Sequence, residues 1–153
     1  LRVTNLRIEH MYGPGDSAHK FVPTVIRKVA VEKVEHLDLT MGNQTRDFIY
    51  VDDVVDAVIV TLLQAIEGTK SRNQIIGEMQ TFEIGTGIAT SVSRFVKRVA
   101  ITSTSPTELR FGALALRKDE VLDSKANGLF QTEFGWKHKT NLEEGVQAIL
   151  DSI

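Results

Sequence analysis

An α/β or α+β fold is what this sequence predicts, on three observations. Short strand-like runs and helix-period apolar stripes are mixed along the chain rather than segregated into blocks. The 153 residues are one ordinary domain's length, enough to bury roughly 70% of the unfolded surface. Apolar residues make up 42% and charged residues 25%, close to the globular average.

The elements follow in order. Val3 to Ile8 alternates weakly and predicts a strand, which runs into Tyr12-Gly13-Pro14-Gly15-Asp16, a loop of turn-formers. Phe21 to Glu32 carries Val22, Val25, Ile26 and Val29 at helical spacing, with Pro23 in the first turn, where a missing N–H does no harm. Leu37 to Thr40 and Phe48 to Val51 predict short strands. Asp53 to Glu67 is the clearest helix, with Val54, Val55, Val58, Ile59, Leu62, Leu63 and Ile66 as a broad stripe expected in the core. Asp52 is placed to cap it and Gly68 to end it.

Thr69 to Gly77 reads as a polar loop, and Thr81 to Ile84 as a strand leading into Gly85-Thr86-Gly87. Ser91 to Ala100 predicts a helix with Val92, Phe95, Val96 and Val99 on one face. Thr102 to Thr107 is a Ser/Thr-rich loop with Pro106, and Leu109 to Phe111 a strand. Asp119 to Phe134 has mixed signals. The last helix starts at Asn141, with Glu144 three residues on, an Asn-led capping box.

Composition narrows the function classes. A formal net charge of −2 gives no long-range pull toward nucleic acid or an anionic membrane, so neither is expected as a partner. The absence of cysteine removes disulfides, thiolate chemistry and Cys-based metal sites, and fits a reducing, cytoplasmic setting. No apolar run approaches the ~18 residues needed to span a bilayer. Arg2, Arg7 and Glu9 interrupt any signal-peptide core. A start at Leu1 rather than Met sets the expectation that an upstream segment has been removed. His19, His36 and His138 have no metal-ligand spacing.

Two stretches resemble one family closely: Leu6-Arg7-Ile8-Glu9-His10-Met11-Tyr12-Gly13-Pro14-Gly15-Asp16, and Gly42-Asn43-Gln44-Thr45-Arg46-Asp47-Phe48-Ile49-Tyr50-Val51-Asp52-Asp53. Three shorter matches follow in order: Ile84-Gly85-Thr86-Gly87, Arg117 with Glu120, and Phe134-Gly135-Trp136 followed by Leu142-Glu143-Glu144-Gly145. Together they look like the C-terminal half of extended short-chain dehydrogenase/reductases, the NAD-dependent epimerase/dehydratase family. The Glu9–Asp16 run and Phe111-Gly112-Ala113-Leu114 look most like its CDP-abequose/paratose synthase branch.

The resemblance implies an α/β fold: the C-terminal part of a Rossmann-type parallel sheet plus the small substrate-binding lobe, a truncated domain. Residues 1–153 would be the substrate-binding region, with the dinucleotide-binding part absent. It implies a parent enzyme, a homodimer using NAD or NADP, that passes a hydride between C4 of a nucleoside-diphosphate sugar and the nicotinamide. Whether that parent epimerises, dehydrates or reduces stays open. The family's Tyr-x-x-x-Lys pair is missing, since Asp16 stands four residues after Tyr12 and Val54 four after Tyr50. Gly85-Thr86-Gly87 has no third glycine in dinucleotide-binding spacing. This chain alone is therefore expected to bind no cofactor, to be inactive, and to self-associate through exposed sheet edges. A non-catalytic nucleotide-sensing or interaction protein, or a natural standalone binding domain, is the alternative.

Site roles follow from the same resemblance. Arg46 and Arg117 would contact the substrate diphosphate, which suits a guanidinium's planar fork; the competing readings are a surface pair with Asp47 and a helical pair with Glu120. Glu120 would lie near the ribose. His10 stands where many relatives carry a phosphate-binding Asn, and imidazole can donate likewise. Lys20 could reach a phosphate and Phe21 could cover the base or sugar, against solvated and core readings. Leu39-Thr40-Met41-Gly42 would meet the base through backbone groups. Glu9 and Met11 lie in the loop expected to approach the nicotinamide. Asp47, Asp52 and Asp53 suggest a metal, but a helix N-terminus accounts for acidic residues better. Trp136 reads as a core plug.

Overall fold

The computed structural model describes residues 3–68 and 79–153. The loop expected at 69–77 lies outside the described residues. Strands and helices are mixed as predicted, and the pairings are mostly parallel. Strand β1 (Val3–Ile8) pairs in parallel with β6 (Met79–Ile84). Strand β2 (His10–Tyr12) pairs in parallel with β5 (Phe48–Tyr50), and β3 (His36–Leu39) with β8 (Glu108–Phe111). The two-residue strands β4 (Thr45–Arg46) and β7 (Thr90–Ser91) pair antiparallel. Parallel pairing needs long crossovers, and helices fill them.

Helix α1 (Phe21–Val25) runs directly into a π-helical stretch, Ile26–Val31, so the predicted helix exists but loosens after one turn. Helix α3 (Val92–Thr102) starts at Ser91, whose hydroxyl accepts the Arg94 N–H. Helix α4 (Leu129–Phe134) is the regular part of the stretch with mixed signals. Helix α5 (Leu142–Asp151) has the full capping box of Asn141 and Glu144.

Strand β5 organises the core because all three of its residues are buried. Successive side chains point to opposite faces, so Phe48 and Tyr50 join one cluster and Ile49 another. In the first cluster Phe48 stacks on Phe95 at 4.4 Å, with Tyr12, Val29, Val96 and Val146 around them. A Cβ at Gly145 would collide with the Tyr12 hydroxyl; only glycine lets α5 approach β2 this closely. In the second, Ile49, Val54, Ala57 and Ile84 pack with Phe130 and Trp136. Trp136 is the expected plug, and its indole N–H donates to Asp56 at 3.0 Å.

Helix α2 (Val51–Gly68) departs from expectation twice. It begins at Val51, so Asp52 lies in the first turn rather than at the cap, where its charge still favours the N-terminus. Its stripe is mostly not core: Val54 and Ala57 are buried, but Val55, Val58, Ile59, Leu62 and Leu63 are 46–58% exposed. The helix is apolar nearly all round, and the rest of the described chain covers a narrow strip of it. Strand β1 is likewise largely exposed.

Candidate functional site

The chain changes partners at Glu9–His10. Strand β1 follows β6 through Ile8, and the Glu9 N–H still donates to Ile84 C=O; the His10 N–H then donates to Asp47 C=O and β2 joins β5. The carboxyl ends of β1 and β6 thus open beside Arg46 and the Gly85 turn. In open parallel sheets, ligands bind outside the strands' carboxyl ends, where strand order switches.

Arg46 sits here on β4 with its side chain only 16% exposed. Its Nη2 meets Glu120 Oε1 at 2.5 Å, and its Nη1 donates to the carbonyls of Thr45 and Val121, both at 2.7 Å. Neither competing pair expected from sequence forms. Asp47 turns inward instead of pairing with Arg46, and the Glu120 carboxylate goes to Arg46 rather than to Arg117. Arg117 is exposed, and its carbonyl accepts the Glu120 N–H at 3.2 Å. The Arg46–Glu120 contact spans 74 residues of sequence, so no local spacing signals it.

His10 is half-buried, its ring edge-on to Phe48 at 4.9 Å. Burial lowers its pKa below the usual 6.5, and the positive charges of Arg46 and Lys20 lower it further, against a smaller upward pull from Asp16. Lys20 is exposed and paired with Asp16 at 2.8 Å, which holds the Asp16 carboxyl below its ordinary range. Three basic side chains therefore share one electrostatic neighbourhood, two of them neutralised by internal carboxylates. A phosphate can take Arg46 from Glu120, because both offer the same acceptor geometry and a phosphate brings more charge. Phe21 packs against Phe95 at the margin of the core.

The segment beyond Glu120 is irregular but tied down. Thr45 N–H donates to Leu122 C=O at 2.8 Å and the Thr45 hydroxyl to Asp123; Ser124 donates to Glu9 at 2.5 Å. Glu9 is thus engaged with Ser124, while Met11 is exposed. Sequence assigned Asp47 to the N-terminus of the following helix, but its carboxylate accepts from the glycine turn and Ala126 instead. It is fully buried. One oxygen accepts the Thr86 N–H and hydroxyl at 2.8 and 2.6 Å; the other accepts the N–H groups of Gly87 and Ala126 at 2.8 and 3.1 Å. Asp53, also buried, accepts the N–H groups of Lys139 and Thr140.

These contacts bear on what the glycine turn can hold. The turn amides that could cradle a dinucleotide pyrophosphate are spent on Asp47, and a Cβ at Gly85 would strike that carboxylate. The turn does not fit the pyrophosphate. Among the described residues no three His, Asp or Glu side chains gather as metal ligands, and no helix is long and apolar enough to cross a membrane. An apolar groove of about 340 Å³ lies between the Gly13–Asp16 loop, α1 and α5, lined by Val22, Ile26, Ile149 and others; Arg46 and His10 are not in its lining.

Comparison with known proteins gives a consistent picture. The family model described as NAD dependent epimerase/dehydratase matches residues 1–77. The CDP-abequose synthase of Salmonella muenchen is 36% identical over 146 residues, covering 95% of this chain and 46% of that protein. The dTDP-L-rhamnose 4-epimerase of Burkholderia thailandensis is 30% identical over 149 residues, covering 92% and 37%. Among solved structures, MoeE5 in complex with UDP-glucuronic acid and NAD superposes with a TM-score of 0.77 at 28% identity, over 98% of this chain and 46% of that one. The chain spans about half the length of the curated relatives it matches, or less.

Proposed function

The chain belongs to the NAD dependent epimerase/dehydratase family, and from that premise we propose that it is the nucleotide-sugar-binding half of a nucleoside-diphosphate-sugar enzyme. The observation that carries this reading is the largely buried Arg46 guanidinium at the carboxyl ends of two parallel strands, with His10 close enough to feel the charges of both Arg46 and Lys20. Arg46 binds the diphosphate, His10 and Lys20 add donors, and Arg117 and Glu120 close the site from the irregular segment. The reading is supported by relatives whose names specify CDP- and dTDP-linked sugars, and by a structural neighbour holding a UDP-sugar with NAD.

In the whole enzyme the nicotinamide, NAD or NADP, would supply hydride transfer at the sugar. Glu9 and Met11 contribute at most an edge to its pocket. The dinucleotide half seats on the open side of β1 and the exposed face of α2, because an all-parallel sheet needs both faces covered. This chain's own share is to bind and orient the nucleotide sugar, and alone it is inactive.

Calorimetric titration with CDP-, UDP-, dTDP- and GDP-sugars tests the reading. With half a pocket, affinity is expected around 1 mM, about −4 kcal/mol, and Arg46→Ala is expected to abolish it while leaving the fold intact. Binding that survives Arg46→Ala would refute the phosphate role.

A further inference from the structure

We propose that Asp47 is the positioning residue of the anion site: its buried carboxylate holds the glycine turn and the 120–126 segment so that Arg46 is presented in one arrangement. The inference rests on the functional reading above only for the identity of the ligand.

Three consecutive residues hold the segment in order. Arg46 takes Glu120 and the Val121 carbonyl, Thr45 takes Leu122 and Asp123, and Asp47 takes Ala126. These ties differ in their exposure to water. Asp123 is exposed and Arg46 and Thr45 are partly accessible, so solvent competes for their bonds. Asp47 is fully buried, and water cannot replace its four donors. Ala126 is buried beside it. When a phosphate draws Arg46 away from Glu120, Asp47 is the buried tie that stays, beside the more accessible Thr45 bonds. It then anchors both the strand carrying Arg46 and the segment carrying Glu120.

The room around Asp47 fits this role. Gly85 has no space for a Cβ because Asp47 and Ala126 fill it. Asp47→Asn keeps the shape but sets an amide NH2 against N–H donors, which loosens the segment without opening a cavity.

The test is hydrogen exchange by NMR, followed at the Arg46 guanidinium and the Ala126 amide, with the amides of α3 and α5 as the control. Affinity for inorganic pyrophosphate is measured in parallel. In Asp47→Asn, exchange at Arg46 and Ala126 is expected to speed up roughly tenfold, and pyrophosphate affinity to fall roughly tenfold, with α3 and α5 unchanged. A folded variant with unchanged Arg46 exchange would overturn the proposal. So would acceleration spread evenly over α3 and α5, which marks a merely structural acid. If Asp47→Asn does not fold, Thr86→Val decides, since it removes the hydroxyl donor to Asp47, along with the acceptor of the Ile88 N–H, and keeps the three backbone N–H bonds to Asp47; a several-fold acceleration at Arg46 and Ala126 supports positioning and none overturns it. Should the unsubstituted chain bind no pyrophosphate, the functional reading fails while the exchange result still decides the role of Asp47.

Discussion

At His10, burial and two nearby cations favour the neutral imidazole, and the sign of the pH effect follows. The folded-state pKa lies below 6.5, so the unfolded chain binds the proton more readily. The stability His10 contributes is complete above that value and is lost as pH falls through the folded pKa. The midpoint of thermal unfolding is therefore expected to drop as pH is lowered from 7 through this range, and His10→Asn to flatten the drop. A bound phosphate reverses the balance at this residue, because an anion favours the imidazolium. Arg46 and Asp47 show how far single residues were legible in sequence. Arg46 was visible as a candidate from its motif, but the competing pairings, Arg46 with Asp47 and Arg117 with Glu120, do not form. Its real partner, Glu120, comes from a distant irregular segment, and only the fold brings the two together.

Among the elements, local capping rules read the start of α5 correctly and the start of α2 incorrectly, since Asp52 lies inside its first turn. Asn141 and Glu144 predicted the capping box from their spacing alone, because both hydrogen bonds close within one turn. Asn141→Ala is expected to lower stability by about 1 kcal/mol and Asn141→Asp to be nearly neutral, as urea unfolding would measure. Helix α2 was recognised, with its start read two residues late, but its burial was not. Periodicity identifies an apolar face and says nothing about what lies opposite it. Its exposed Val58, Ile59, Leu62 and Leu63 form a patch of the kind that drives association. Sedimentation velocity is expected to show concentration-dependent self-association of this chain. Leu62→Lys should weaken it without lowering thermal stability, since the side chain is 58% exposed.

Across the molecule, the parallel pairings were legible through the family motifs rather than through strand propensity. The short β4–β7 pair carried no signal of its own, and the π-helical turn after Val25 had none. What the fold adds is convergence. The carboxyl ends of β1 and β6, the Gly85 turn and the irregular 120–126 segment meet around Arg46 and Asp47. Under the proposed function, the open faces of β1 and α2 would receive the cofactor-binding half, while the carboxyl end of β1 would border the nucleotide-sugar site. The most direct test of that division is backbone chemical-shift mapping during titration with CDP and UDP into the millimolar range. The account predicts that the largest saturable shifts fall at His10, Lys20, Arg46 and Glu120. No shifts at these residues, or shifts confined to the groove around Val22, Ile26 and Ile149, would contradict it.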